Sequence, residues 1–414
     1  MLNINKILYI THYGCTPKYF YINKKTGKLK KNIADGGSNI NIHLIKYLAR
    51  TGHHVTISTY QNNYQYEAYF KSNKRIKYIT FRSPEYYLGF YNLFLENIWK
   101  SIMFSIKLIA LKPEVNIVIS ASDFFPDVIS AYLLKILEPK RIWVASYFLD
   151  APAPWSKDNP YRTNIITFLR GGLYWFIQRF SFLMIKQKAD YVFVTSDPDK
   201  NKFLTKFRKP ANVIVVRGGI DLKSSDKYLK KIKQNSSEKI YDACFVGRFH
   251  YQKGVVELIK IWFLVCQKNP KAKLAMIGIG NLEESVKAEI KRLHLGENIF
   301  LLGFLNGKDK FKIFRQSKII VHPAIYDSGG MAACEAMAWG LPGVSFDLEA
   351  LKTYYPKGML KTPCFDLKIF AENILKLLED KNIYSKTRID AIDWSHLWGW
   401  NKRSKYIIDQ ILPN

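Results

Sequence analysis

The sequence is poor in the residues that build disulfide frameworks and zinc sites. Its five cysteines are odd in number, and none forms a Cys-x-x-Cys pair; they are Cys15, Cys244, Cys266, Cys334 and Cys364. This pattern argues against a disulfide scaffold and against a structural zinc site. No charged, apolar and small-residue leader precedes the apolar run that begins at Lys6, so a signal peptide is not expected. We expect a cytoplasmic protein.

The chain also lacks a long uninterrupted apolar run. The best candidate, residues 165–185, contains Arg170, Gln178 and Arg179, and each arginine near a bilayer centre costs about 2.5–3.5 kcal/mol. We therefore expect no membrane span. The aromatic and basic residues of 86–112 and 161–188 nevertheless suit peripheral contact with an anionic membrane surface. The alternative for both segments is a helix packed into its own domain.

Acidic residues are scarce relative to basic ones. The 34 Asp and Glu face 63 Lys and Arg, which gives a formal net charge of +29. Such a surface attracts nucleic acid, anionic lipid or phosphorylated small molecules, and charge alone does not choose among them. Lysines spread over solvated faces are the plain alternative. No nucleic-acid recognition module is visible, so nucleic acid is not an expected partner.

Abundant apolar residues are arranged in two series of strands and helices. A hydrophobic content of 48% over 414 residues suits two folded domains. In the first series a strand is followed by Gly36-Gly37 and a helix, and the predicted strands are 6–11, 54–58, 75–80, 116–120, 141–147, 191–195 and 212–216. Buried strands alternating with helices predict a doubly wound parallel sheet, here over residues 1–221.

The second series follows a polar stretch, residues 222–239, which has no apolar periodicity and is predicted to be a linker. Residues 240–393 are predicted to form another Rossmann-like unit, with strands at 241–246, 273–277, 299–302, 319–322 and 343–346 and helices at 254–267, 282–294, 330–339 and 367–378. The tail, 394–414, contains three tryptophans and an amphipathic helix, which we expect to pack back on the first domain.

One strand end delivers two cations to the mouth of a helix. Arg248 and Lys253 follow the strand 241–246. Open α/β sheets bind ligands outside the carboxyl ends of their strands, and a helix N-terminus attracts phosphate. Arginine grips phosphate oxygens through its fork and lysine acts as a point charge. The pair predicts a diphosphate site; two solvated basic residues in a turn are the alternative.

A later loop brings carboxylates to the same type of position. Asp327 follows the strand 319–322, and Glu335 lies within the next predicted helix. Gly329 and Gly330 would allow a ligand to approach the backbone closely, and the first turn of the helix leaves N–H groups available to an anion. The spacing of the two carboxylates lets them reach different parts of one ligand.

These two segments resemble the donor site of retaining glycosyltransferases of the GT-B fold, in particular family four, the group 1 glycosyltransferases. The family pattern Gly-Arg-x-x-x-x-Lys-Gly is found at 247–254. Its Glu-x7-Glu pattern, followed by Ala-Met-Ala-x-Gly-x-Pro, is found at 327–342 with Asp327 in place of the first Glu. The resemblance covers nearly the whole chain and implies an α/β GT-B fold, in which two Rossmann-like domains face a central cleft.

The resemblance implies a role for each matching side chain. Arg248 and Lys253 would hold the donor phosphates and stabilise the leaving group. Glu335 would hydrogen-bond the ribose, and Asp327 would contact a hydroxyl of the donor sugar.

The resemblance also assigns backbone and loop positions. Gly330-Met331 would cradle phosphate, and Phe304 would border the base. Gly36-Gly37 would approach the donor from the acceptor domain. Many relatives place a histidine after the strand 141–147, where this chain has Asp150. Asp150 is therefore a candidate catalytic group, with a structural carboxylate at a strand end as the alternative.

Three histidines, His12, His43 and His322, are expected to be partly buried structural residues rather than catalytic ones. The resemblance thus implies retaining transfer of a hexosyl or related sugar from a nucleotide-sugar to a glycan, lipid-linked or other acceptor. No cofactor and no divalent metal are expected, since two cations can serve the diphosphate. A sugar-nucleotide epimerase or phosphorylase of the same fold and a non-catalytic nucleotide-sugar-binding subunit remain the alternatives.

Overall fold

The computed structural model describes residues 4–12, 36–60, 70, 73–81, 89–156, 159, 165–232, 239–327 and 330–412. The chain divides into two compact units, one formed by Met1–Gly218 with Arg403–Asn414 and the other by Gly219–Lys402. Each unit is a parallel sheet with helices, and the prediction of two Rossmann-like domains is confirmed.

The described part of the first unit contains a sheet of seven parallel strands in the order β3-β2-β1-β4-β5-β6-β7. The strands are β1 (Lys6–Thr11), β2 (His54–Tyr60), β3 (Ile76–Phe81), β4 (Ile117–Ser120), β5 (Ile142–Tyr147), β6 (Tyr191–Val194) and β7 (Val213–Val215). The longer helices are α1 (Gly36–Arg50), α2 (Gly89–Ala110), α3 (Phe125–Leu137) and α4 (Ile165–Lys188). Strands such as β4 are buried along their whole length, which explains their continuous apolar sequence.

The described part of the second unit contains a parallel sheet of six strands in the order β10-β9-β8-β11-β12-β13. These are β8 (Tyr241–Val246), β9 (Leu274–Ile277), β10 (Ile299–Leu301), β11 (Ser317–His322), β12 (Gly343–Phe346) and β13 (Met359–Thr362). The helices are α5 (Leu222–Ile232), α6 (Val255–Lys268), α7 (Glu283–Arg292), α8 (Lys308–Gln316), α9 (Met331–Ala338), α10 (Glu349–Tyr354), α11 (Leu367–Glu379) and α12 (Lys381–His396). A last helix, α13 (Trp400–Ile411), begins in this unit and continues into the residues grouped with the first unit.

Part of the predicted linker, Leu222–Ile232, forms helix α5. This helix is rich in lysine, but Leu222 and Tyr228 pack against the apolar core of the second unit. The ring of Tyr228 lies 5.2 Å from that of Trp339. The apolar residues of α5 do recur at helical spacing, and they were overlooked because lysine and serine dominate this stretch of the sequence.

The tryptophans of the tail pack within the second unit. Trp394 donates its Nε1–H to the carbonyl of Tyr354 at 2.8 Å, and the ring of Trp398, which is fully buried, lies 5.1 Å from the Tyr354 ring. Residues from Arg403 onward are grouped with the first unit. The tail was expected to pack on the first domain as a whole. Instead, its tryptophans belong to the second unit and only the residues from Arg403 onward belong to the first.

Each sheet has a point at which the strand order reverses. In the second unit the chain proceeds from β8 through β9 to β10 and then returns to β11 on the other side of β8. The loops after β8 and β11 consequently leave the sheet in opposite directions, which opens a crevice between them at the carboxyl edge. In the first unit the corresponding reversal lies between β1 and β4.

Candidate donor site

Two loops meet at the strand-order reversal of the second unit. The carbonyl of Gln252, in the loop after β8, accepts hydrogen bonds from the backbone N–H groups of Ile325 at 3.1 Å and Tyr326 at 3.3 Å, in the loop after β11. Gly254 has φ +59°, and a Cβ there would lie 2.0 Å from the carbonyl oxygen of Pro323. Only glycine allows this approach, which gives a steric reason for the Lys-Gly pair seen in the sequence.

The approach of the two loops joins Lys253 to Asp327. The Nζ of Lys253 contacts the Oδ2 of Asp327, and both side chains are largely buried. Burial raises the pKa of Asp327, but the positive charge of Lys253 and the contact with His322 outweigh burial and hold that pKa below its usual range. The two predicted residues form one charge pair, and Asp327 is ionised.

Two polar side chains pack closely against the start of helix α9. A Cβ on Gly330 would lie 2.5 Å from the Oη of Tyr355 and 2.6 Å from the Nε2 of His322. Neither atom makes a well-formed hydrogen bond to a described residue, and His322 Nε2 lies 3.4 Å from Asp327 Oδ2. Glycine is therefore required at Gly330 by packing, in addition to any approach of a ligand.

Sequence reasoning treated His322 as a structural residue and did not single out Tyr355. The burial of His322 is confirmed, but its contact with Asp327 places it in the site. Burial lowers the pKa of His322 and raises that of Tyr355 well above its usual value, so both groups are uncharged at neutral pH. On the neighbouring strands Ser345 lies beside His322, and the Nζ of Lys361 donates to the Ser345 hydroxyl at 3.2 Å. The sequence gave no signal for this contact.

Arg248 is exposed in the loop that follows β8. Between it and Lys253 lies His250, whose Nδ1 accepts a hydrogen bond from the backbone N–H of Gln252 at 3.3 Å. Burial, followed by the positive charges of Arg248 and Lys253, lowers the pKa of His250 to about 4. Arg248 and Lys253 thus both influence His250, and the His250 imidazole is uncharged at neutral pH.

Glu335 lies on α9 and is held by a lysine that the sequence analysis did not identify. The Nζ of Lys310, on α8, donates to Glu335 Oε2 at 2.5 Å. Phe304 lies in the loop that leads to α8, next to Gly303, whose carbonyl accepts from the N–H of Gly278 at 2.9 Å. Because α8 was not predicted, no sequence signal could pair Lys310 with Glu335.

Four of the predicted backbone positions lie at the starts of helices. Gly36-Gly37 open α1, and Gly330 precedes Met331, the first residue of α9. Gly329 lies outside the described residues. Gly330 packs against His322, the side chain that also contacts Asp327, so the start of α9 lies close to the Lys253–Asp327 pair.

Asp150 lies in the first unit, after β5, within a network of polar side chains. It contacts Arg179, accepts a hydrogen bond from the Tyr147 hydroxyl at 2.6 Å and lies 3.2 Å from the Nζ of Lys202. Burial raises the pKa of Asp150, but the Tyr147 hydrogen bond and the two cations outweigh it and lower the pKa. An ion-paired carboxylate with a lowered pKa is a weak base, so the geometry favours the structural alternative.

Asp123 is a buried carboxylate that sequence reasoning missed. It follows β4 at the strand-order reversal of the first unit and accepts from Gln178 Nε2 at 2.7 Å and from the Tyr174 hydroxyl at 3.3 Å. Burial raises its pKa to about 6. Nearby, His12 is buried with its Nε2 2.6 Å from the Ser58 hydroxyl, and burial lowers its pKa to about 3.

His43 also has a lowered pKa, about 4, because of burial. The structural assignment of His12 and His43 therefore agrees with their environments. Within the ranges that the structure covers, no group of three or more His, Cys, Asp or Glu side chains is placed to hold a metal ion.

Much of the second unit matches a known protein family. Residues 226–394 match the family described as Glycosyl transferases group 1. An uncharacterized glycosyltransferase of Methanocaldococcus jannaschii is 27% identical over 203 residues, which are 47% of this chain and 48% of that protein. The poly(glycerol-phosphate) alpha-glucosyltransferase of Bacillus subtilis is 26% identical over 165 residues, 39% of this chain and 24% of that enzyme.

The chain spans about half or less of the length of these curated relatives. The predicted resemblance to the group 1 glycosyltransferases is confirmed over the matched residues. These comprise most of the second unit, including both loops of the candidate donor site.

Solved structures show the same fold over the whole chain. Anabaena Alr3699/HepE in complex with UDP and glucose aligns with 99% of this chain and 100% of its own, with a TM-score of 0.67 and 14% identity. Sucrose-phosphate synthase from Thermosynechococcus elongatus aligns with 98% of each chain, with a TM-score of 0.70 and 17% identity. The predicted GT-B fold is confirmed.

Proposed function

We propose that the protein is a retaining glycosyltransferase that moves a hexosyl or related sugar from a nucleotide-sugar to a glycan or lipid-linked acceptor without a divalent metal. The observation that carries this proposal is the pairing of Lys253 with Asp327 beside the start of α9, at the strand-order reversal of the second sheet. The match of residues 226–394 to group 1 glycosyltransferases supports it. Retention of configuration rests on the family resemblance.

The donor diphosphate is assigned to the cations of the loop after β8. Negative charge grows on this diphosphate as the bond to the sugar breaks, so donors fixed in advance around it stabilise the transition state. Arg248 and Lys253 supply positive charge, and the backbone N–H groups at Gly330-Met331 supply dipoles. Because Lys253 already neutralises Asp327, a bound diphosphate shares this cation with the carboxylate.

Asp327 is assigned to a hydroxyl group of the donor sugar. Its pKa is held below the usual range, so it is an ionised acceptor at neutral pH, and a hydroxyl can donate to it without proton transfer. Neutral His322 packs beneath it and leaves its charge unchanged. Aspartate reaches one methylene less far than the glutamate of the family pattern, which brings the sugar closer to the loop.

Glu335 is assigned to the ribose, where its carboxylate can accept from two neighbouring hydroxyls. Lys310 holds this carboxylate at 2.5 Å, and we infer that it orients Glu335 for the nucleoside. Phe304, in the loop before α8, is assigned to the edge of the base.

UDP-sugars are the first donors to test. The solved structures of HepE contain UDP with glucose or UDP-glucose, and its fold matches that of this chain. Purified protein should bind one member of a nucleotide-sugar panel in calorimetry and release nucleoside diphosphate with a suitable acceptor. Binding without hydrolysis or transfer would instead identify a nucleotide-sugar-binding subunit. Failure of the whole panel, including free nucleoside diphosphates, would refute the donor site.

A further inference from the structure

Helix α4 has an inverted distribution of polar and apolar side chains. The residues buried along it are Gln178, Ser181 and Ile185, and the first two are polar. Its exposed large apolar residues are Ile165, Ile166, Leu169, Phe176, Phe180 and Leu183. Leu169, Phe176, Phe180 and Leu183 follow one another at spacings of seven, four and three residues. These spacings place them along one side of the helix. This helix therefore has an apolar side that the described residues of its unit do not cover.

The polar inner side of α4 has a clear structural purpose. Gln178 donates to Asp123 and to the carbonyl of Leu149, and its oxygen accepts from the N–H of Ala151. These contacts fix the rotation of the helix about its axis. The apolar side is consequently held toward the exterior by hydrogen bonds that α4 cannot easily exchange.

Helix α2 also exposes apolar side chains. It buries Phe104 and Leu108 in the core of the first unit, whereas Trp99, Ile102 and Ile106 are exposed. Helix α3 packs against both α2 and α4 and ends with exposed Ile136 and Leu137. We call the exposed apolar side chains of these three adjacent helices the α2–α4 face.

Basic and aromatic residues accompany this face. Helix α4 contains Arg170, Arg179, Lys186 and Lys188 and no acidic residue. Arg179 contacts Asp150, but its guanidinium also lies 5.3 Å from the centre of the Trp175 ring. Trp155, which is 71% exposed, packs edge-on to Trp175 with ring centres 4.8 Å apart. Apolar, aromatic and basic side chains in one surface suit the boundary between lipid headgroups and acyl chains.

We propose that the α2–α4 face rests on an anionic membrane surface. Its apolar side chains enter the headgroup boundary, and the lysines and arginines of α4 approach lipid phosphates. No helix of the described ranges is long and apolar enough to cross a bilayer, so this contact is peripheral. It depends on the first unit alone and not on the assigned donor chemistry.

A second copy of the chain is a poorer occupant for the same face. Two-fold pairing would place α4 against its own copy or a neighbouring helix of the same face. Since α4 has basic residues and no acidic ones, self-pairing would bring like charges together with no carboxylate from α4 to neutralise them. An anionic bilayer offers both the apolar layer and the opposite charge.

Vesicle flotation tests the proposal with the full chain. Wild-type protein should float with phosphatidylcholine vesicles that contain phosphatidylglycerol, and less with phosphatidylcholine alone or at high salt, because screening weakens the charge contacts. Phe176→Ser with Phe180→Ser should weaken partitioning by about tenfold for each ring removed. These rings are 54% and 46% exposed, and circular dichroism and melting should show that the variant is folded.

Ile389→Ser is the matched control, since Ile389 is 57% exposed but lies on α12 of the second unit; it should float like wild type. Arg170→Gln with Lys188→Gln should reduce the preference for phosphatidylglycerol by about fivefold for each charge. Absence of flotation would refute the proposal, as would equal flotation of wild type and the phenylalanine variant. Light scattering that shows a dimer dissociated by the phenylalanine substitutions, without vesicle binding, would identify a second copy as the occupant and also refute it.

The vesicle experiment involves no sugar transfer. A protein that floats but binds no nucleotide-sugar would support the membrane contact and refute the proposed transferase function. A protein that transfers sugar but does not float would do the reverse.

Discussion

Removal of the Lys253 ammonium should damage both the stability of the second unit and its chemistry. The Lys253 and Asp327 side chains are 19% and 9% exposed, so Lys253→Met leaves the Asp327 carboxylate largely buried without that cation. Breaking a buried pair in this way costs about 3–5 kcal/mol. Water can reach the lysine end, which favours the lower limit, about 3 kcal/mol. For a unit of this size that loss lowers Tm by about 6–12 °C.

A second substitution separates stability from catalysis. Asp327→Asn alone removes the negative partner and leaves Lys253 partly buried. In the double variant both charges are gone, so most of the lost stability should return, giving a favourable coupling in the double-mutant cycle. Turnover should not return, because the charge that faces the leaving diphosphate is still missing. We expect kcat/KM about 10²–10³ below wild type in both Lys253 variants.

Thermal melting and steady-state transfer with the identified donor measure the two effects on the same preparations. Lys287→Met is the control: this lysine pairs with Glu283 and Glu284 on the surface of α7, and its replacement should leave both Tm and turnover unchanged. The reasoning fails if folded Lys253→Met keeps wild-type turnover. It also fails if the double variant is as unstable as the sum of the two single variants, since the charges would then be uncoupled.

Three further predictions use other parts of the structure. Arg248→Ala should lower kcat by about 10²-fold. Glu335→Ala and Lys310→Met should chiefly raise the donor KM, because a ribose contact is similar in the ground and transition states. A fall in kcat alone for Glu335→Ala and Lys310→Met would contradict this assignment. Activity should survive EDTA, and complete loss restored by magnesium or manganese would reveal a metal site. Asp123→Asn should stabilise the protein by about 1–3 kcal/mol at pH 7. Burial raises the pKa of Asp123 from 3.8 to about 6, so the wild-type protein loses stability as pH rises through that interval and the carboxyl group ionises. The higher Tm of the variant should therefore disappear near pH 4. A Tm advantage that does not change with pH would exclude this cause.

The sequence by itself determined the two α/β units and the positions of the two donor loops. Strands such as β4 and β12 are buried throughout, and a continuous apolar run records that burial directly. Gly330 was singled out as a point of close approach to the backbone and Gly254 as part of the family pattern, and neither has room for a Cβ. Four elements escaped recognition: α5 and α8 because charged residues dominate them, and α10 and β13 because they are only six and four residues long.

Tertiary structure alone decided which groups face one another. Lys253 meets Asp327 because β8 and β11 are neighbours in the sheet, although β9 and β10 lie between them in the chain. The contact of His322 with Asp327, by contrast, is local to the end of β11 and the loop that follows it. The pairing of Lys310 with Glu335 joins the helices that precede and follow β11. The outward apolar side of α4 is likewise set by the hydrogen bonds of Gln178. Sequence periodicity tells which side of a segment is apolar, whereas partners distant in the chain are chosen by how the segments pack.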